Sequence, residues 1–142
     1  MTLVRKGIRR QPEAPGQFVA PASLLTVELP WFNAALAPNR ANGRAWGGLA
    51  ATKSKAKADA CTLTQNAAKG RKLSTLEKYP LCILFVAPDN RRRDLDGCHG
   101  AIKHYLDGVA LALGIDDSQF RPIRLDYQVG PKPGKVVIEV GA

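Results

Sequence analysis

The first ordered alternation of apolar and polar positions runs from Leu24 to Leu29, with the β-branched content of a strand, and Pro30 closes it. From Trp31 to Gly48 the chain is rich in Asn, Pro and Gly, which predicts a long loop. Leu49–Ala68 is alanine-rich and predicts a helix that stops near Gly70, with Lys53 and Lys57 on one face and Lys55 pointing away. Tyr79–Val86 carries the apolar run Leu81-Cys82-Ile83-Leu84-Phe85-Val86 between Pro80 and Pro88, short and branched enough for a central strand buried on both faces. In the next stretch, Asp96–Leu113, Ile102, Leu106, Val109, Ala110 and Leu113 recur every three or four residues, a second helix ended by Gly114. Phe120–Val129 and Lys135–Val140 then alternate as two strands, expected to form a hairpin through Gly130-Pro131-Lys132-Pro133-Gly134.

The order strand, helix, strand, helix, strand, strand predicts a small α+β domain, a mixed sheet of about four strands with two helices packed against it. Residues 1–22 mix basic side chains with Pro12, Pro15 and Pro21 and show no apolar period, so they are expected to be a flexible basic arm before a domain over 23–142. A length of 142 residues suits one compact domain.

Charge adds a partner class. The net charge of +9 and a pI near 9.8 favour approach to a polyanion, with nucleic acid the first expectation and solubility the plain alternative. Cys61, Cys82 and Cys98 are odd in number and lack C-x-x-C spacing, so neither a disulfide framework nor a zinc knuckle is expected. Arg5, Lys6, Arg9 and Arg10 are followed by no apolar run long enough for a signal peptide or membrane span, and the expected location is the cytoplasm.

Candidate chemistry concentrates where the acids do. Of twelve acidic residues, six fall between Asp89 and Asp117, and Arg91-Arg92-Arg93-Asp94-Leu95-Asp96 sets two carboxylates beside three guanidinium groups. Crowded carboxylates repel unless a cation sits among them, and arginines suit phosphodiester oxygens. Residues two apart in extended chain share a face, whereas in a helix they diverge by about 200°, so Asp94 and Asp96 can aim at one ion where loop passes into helix. Oxygen ligands select Mg²⁺, with Mn²⁺ as a substitute. The plainer alternatives are a helix cap at Asp96 with Asp94 favouring the positive end of the helix, and turn chemistry for Asp116-Asp117.

Leu29-Pro30-Trp31, Pro38-Asn39-Arg40, Pro88-Asp89-Asn90-Arg91-Arg92-Arg93-Asp94-Leu95-Asp96 and Leu113-Gly114-Ile115-Asp116-Asp117-Ser118-Gln119 together resemble the RusA-type Holliday junction resolvases, small endonucleases often carried by phages and prophages. The resemblance runs from about Leu24 to Val140. It implies a homodimer that binds four-way DNA junctions, in recombination and repair, and makes paired magnesium-dependent nicks. By the same resemblance Asp94, Asp96 and Asp117 are the expected metal ligands, Arg91, Arg92 and Arg93 the DNA-contacting run, and Asn39 and Arg40 a loop approaching the substrate. No membrane partner or organic cofactor is implied, and the expected setting is a bacterial or phage-encoded protein at the nucleoid.

Two positions depart from the family pattern. Gly97 and Gly100 stand where members carry Asn directly after the second aspartate and Lys four residues after it; Lys103 follows Asp96 by seven, as after a three-residue insertion, with Asp107 four further on. Lys103 is the expected catalytic lysine, reaching back along one continuous helix. Its alternative is an exposed pair with Asp107. His99 and His104 are possible substitutes. Trp31 is expected to anchor its loop, while Trp46 has no assigned role. A non-cutting module for branched or single-stranded DNA and a magnesium-dependent nuclease of broader range remain the competing functions.

Overall fold

In the computed structural model the described residues are 23–37 and 46–141, with the side chains of 46–48 excepted. The basic arm and the Asn39-Arg40 loop lie outside them. The elements in chain order are β1 (Leu25–Pro30), α1 (Trp46–Ala68), β2 (Tyr79–Ala87), α2 (Leu95–Ala101), α3 (Lys103–Leu113), β3 (Phe120–Val129) and β4 (Lys135–Val140), with short 3₁₀ turns at Ala34–Leu36 and Asp117–Gln119. The fold is α+β, a mixed four-stranded sheet in the order β1-β4-β2-β3.

The expected β3–β4 hairpin does not form. β4 pairs antiparallel with both β1 and β2, while β3 pairs parallel with β2 at the sheet edge. Burial explains the exchange. Val136, Ile138 and Val140 of β4 are fully buried and need neighbours on both sides, whereas β3 is exposed at most of its positions and loses little at an edge. The Gly130–Gly134 connection therefore passes the end of β2, where the Gly130 N–H donates to Ala87 O at 2.9 Å.

The helices cover one sheet face. Val27, Leu29, Leu81, Ile83, Phe85, Val136, Ile138 and Val140 meet Ala60, Ile102, Tyr105, Val109 and Leu113 in a single core. The Tyr105 hydroxyl donates to Pro30 O at 2.9 Å and ties α3 to the end of β1. β2 is central as expected, but it is not buried on both faces: Cys82 and Leu84, which point away from the helices, are half-exposed.

One expected helix is two. The backbone leaves helical values at Ile102 (φ −103°, ψ 15°), dividing Asp96–Leu113 into α2 and α3. Gly97 and Gly100 weaken the first turns, and fully buried Ile102 holds the break against the core. Further along, α3 crosses α1 at Gly108, where a Cβ would come within 2.3 Å of Lys57 O and 2.9 Å of Ala60 Cβ. Those neighbours are backbone and a buried methyl, so the helices must part to admit a side chain. Gly108→Ala is expected to lower unfolding free energy by about 1–3 kcal/mol, the range for overpacking a core, as read by urea unfolding; an unchanged midpoint would mean that α1 and α3 can separate freely.

Candidate functional site

The loop leaving β2 is organised by Asp89. Its carboxylate accepts the Arg91 N–H at 3.0 Å and pairs with Arg93 at 2.9 Å and, more loosely, with Arg91 at 3.4 Å. The Arg93 guanidinium also donates to Asp89 O, Arg91 O and the Tyr127 hydroxyl, each at 3.3 Å, and lies 5.3 Å from the Trp31 ring centre. Trp31 itself packs against Phe32 and edge-on to Phe85, so it anchors its loop as expected. Arg93 thereby joins the exit of β1, the β2 loop and β3. Burial alone would lower its pKa, but the hydrogen bonds to Tyr127 and Asp89 outweigh it and the pKa is raised. The Asp89 carboxyl is held below the ordinary carboxylate value, chiefly by the Arg91 N–H; burial opposes this, and the Arg93 and Arg91 guanidinium groups add to the lowering.

This clamp fixes where α2 begins. Asp94 is its N-cap, accepting the Gly97 N–H at 2.6 Å on Oδ1, and Asp96 lies in the first turn. Asp94, rather than Asp96, is therefore the capping residue. At position 97 a Cβ would stand 2.5 Å from Asp94 Oδ1, so a side chain there would displace the capping carboxylate from this short bond.

Asp94 and Asp96 line one cleft of about 880 Å³ with Arg91, Arg92 and Arg93. Trp31, Phe32, Ala34, Ala37 and Pro88 supply its apolar wall. Arg91, Arg92, Asp94 and Asp96 are exposed there, while Arg93 is committed to the clamp. Cys98 also borders the cleft, buried, with its thiol pKa raised chiefly by that burial. The aromatic wall, Asp89 and Tyr127 were not singled out as site residues. The spacing from Asp89 to Arg93 was a visible signal for the clamp; Tyr127 had none, since its partner is 34 positions away in the chain.

Asp117 and Lys103 are elsewhere. Among the described residues no three His, Cys, Asp or Glu side chains gather with metal-binding spacing, so the expected convergence of Asp94, Asp96 and Asp117 does not occur within one chain. Asp117 instead meets Asp107 and Lys103: Lys103 Nζ is 4.0 Å from a carboxylate oxygen of each. His104 Nδ1 lies 3.7 Å from Asp107. Burial first, then hydrogen bonding and repulsion from Asp107, raises the Asp117 pKa, and Lys103 offsets part of this. The His104 pKa is lowered by burial and by Lys53, Lys103 and Lys57, against the pull of Asp107. The break at Ile102 ends the continuous helix on which Lys103 was to reach back toward the cleft.

The exposed Asp94 and Asp96 carboxylates fit a sparse magnesium site, because that ion commonly takes one or two carboxylates and fills its shell with water and substrate oxygens. A cage of three carboxylates does not fit this arrangement. Against models of known protein families and against curated proteins, the chain has no match.

The two acidic groups respond differently to substitution. Because the folded state depresses the Asp89 pKa, its stabilisation is present above the unfolded value of 3.8 and is lost as pH falls through the lower folded value. Asp89→Asn should therefore lower the melting temperature at pH 7, and the gap from wild type should close in acid; a pH-independent gap would place the effect outside this ionisation. Asp117 has the opposite sign. Its raised folded pKa stabilises below 3.8 and that contribution disappears as pH rises through the folded value, leaving two ionised carboxylates side by side. Asp117→Asn is expected to leave the pH 7 melting temperature unchanged or slightly higher, and a clear drop would show that Lys103 outweighs the repulsion.

Proposed function

We propose that the chain is a magnesium-dependent endonuclease acting on branched DNA, with four-way junctions its expected substrate. One observation carries the reading: Asp94 and Asp96 open into the same cleft as Arg91 and Arg92, beside an aromatic wall. Carboxylates and guanidinium groups in one cleft suit a phosphate bridged by a cation, and the apolar wall suits the base of an unpaired nucleotide.

In this mechanism Asp94 and Asp96 would hold the ion, with Asp94 also capping α2 through Oδ1. When bound, magnesium supplies Lewis acidity toward the phosphate and lowers the pKa of water. Arg91 and Arg92 bind the phosphate oxygens, and Arg93 positions the loop that presents them. Lys103 and Asp117 have no step here, since they pair with each other outside the cleft lining.

That separation favours a second reading, a DNA-binding module that does not cut. Incubation of a synthetic junction with Mg²⁺ or EDTA distinguishes them. Paired, metal-dependent nicks in opposing strands are expected, and Asp94→Asn or Asp96→Asn should slow them by about a hundredfold or more, roughly 2.7 kcal/mol of barrier, while junction binding persists. Asp117→Asn should keep most of the activity; a loss matching that of Asp96→Asn would return Asp117 to the reaction centre. Tight binding with intact strands would overturn the nuclease reading, and equal cutting of junction, flap and duplex would overturn the junction preference.

A further inference from the structure

We infer that Tyr127 is a positioning residue for the cleft: its hydroxyl keeps Arg93 within the loop that leaves β2, so that Arg91 and Arg92, and not Arg93, meet a phosphodiester. The inference rests on the reading of the cleft as a phosphate-binding surface, and on neither metal nor cutting.

The three arginines are alike in sequence and unlike in surroundings. The resemblance to junction resolvases groups all of them as DNA contacts, yet the Arg91 side chain is 74% exposed and that of Arg93 only 16%. Arg92 is exposed as well. A guanidinium carries five N–H donors in one rigid plane, so the acceptors around it decide what it can still bind. For Arg93 three of these, the Asp89 carboxylate, Asp89 O and Arg91 O, belong to the loop itself. They fold the loop around the side chain without attaching it to the sheet. Among the described residues the Tyr127 hydroxyl, at 3.3 Å, is the hydrogen-bond acceptor that Arg93 finds on another element. The Trp31 ring adds attraction at 5.3 Å, but Trp31 lies beyond the end of β1, whereas Tyr127 lies within a strand.

That placement makes the hydroxyl a firm support. Tyr127 pairs with fully buried Phe85 of β2, and its ring packs against the core. A tyrosine has only two side-chain torsions, so a packed ring leaves its oxygen little freedom. Groups carried on strands hold a site more precisely than groups on loops.

The consequence is the number of phosphates that the loop can hold. With the donors of Arg93 taken up by Asp89, the loop carbonyls and Tyr127, a run of three arginines presents two to the cleft. Without the hydroxyl, Arg93 keeps its bonds inside the loop but loses its hydrogen bond to the sheet. Arg91 and Arg92 must then be ordered at the moment a phosphate binds, which lowers affinity without removing a phosphate contact.

Binding of the full chain to a synthetic four-way junction, followed by fluorescence anisotropy in EDTA over a series of salt concentrations, tests this, with circular dichroism to verify that each variant folds. Tyr127→Phe should weaken binding by about three- to tenfold and leave the slope of log K against log salt unchanged. Arg91→Gln and Arg92→Gln should each weaken binding and reduce that slope by about one, as for a lost phosphate contact, while Arg93→Gln should change it by less than about half as much. In a chain that carries both Arg91→Gln and Arg92→Gln, measured at low salt, Tyr127→Phe should have no further effect, because it acts through those two side chains. A purely structural role would persist there. If Arg93→Gln fails to fold, Tyr127→Phe in the two backgrounds still decides. Wild-type affinity in Tyr127→Phe, a slope reduced by about one in that variant, or an undiminished effect without Arg91 and Arg92 would each overturn the inference. A wild type that binds junctions but leaves them intact in Mg²⁺ would remove the nuclease reading and leave the inference to these affinities. One that nicks them while Tyr127→Phe is silent would do the reverse, and one that does not bind would overturn both.

Discussion

Parallel pairing of β2 with β3 is the constraint on which the layout of functional groups depends. Two parallel neighbours cannot be joined by a tight turn, so the chain leaves β2 at the Ala87 end, returns through α2 and α3, and enters β3 beside Tyr79. Nine residues of β2 at about 3.3 Å each separate those ends by roughly 26 Å. Asp94 follows one end and Asp117 precedes the other. The two acids, twenty-three positions apart in the chain, flank that crossover, and among the described residues they do not gather in a metal-binding group.

The cleft and the Lys103–Asp107–Asp117 group are accordingly different kinds of polar site. In the cleft the Arg93–Asp89 pair ties down the loop, and Arg91, Arg92, Asp94 and Asp96 stay exposed around it, Arg91 loosely paired with Asp89 and Asp94 capping α2. Such preorganisation is what a binding or catalytic site requires of its supporting residues. In the other group the charges satisfy one another imperfectly. Lys103 reaches both carboxylates at the outer limit of an ion pair, 4.0 Å, and the carboxylates repel. Exposed pairs of that kind contribute little to stability.

Edge and centre of the sheet divide by burial. β4 lies inside because its alternate residues are fully buried, and β3 lies outside because most of its positions can stay exposed. Among the described residues β3 pairs on one side only, with β2, and it is the strand that supports Arg93 through Tyr127.

Local pattern was enough to specify the α+β class, each of the four strands to within a residue or so, the long first helix and the end of α3 at Gly114. These depend on side-chain period and on the conformations open to glycine and proline, which neighbours in sequence suffice to set. The grouping of Asp94 and Asp96 with the arginines was legible for the same reason, since all lie on one short loop and helix start. Strand partners, the break at Ile102, the capping role of Asp94, the bond from Arg93 to Tyr127 and the company kept by Asp117 were not. Each of these is settled by contacts between residues remote in the chain, where competition for burial decides which strand takes the centre and where a helix must bend to bury Ile102.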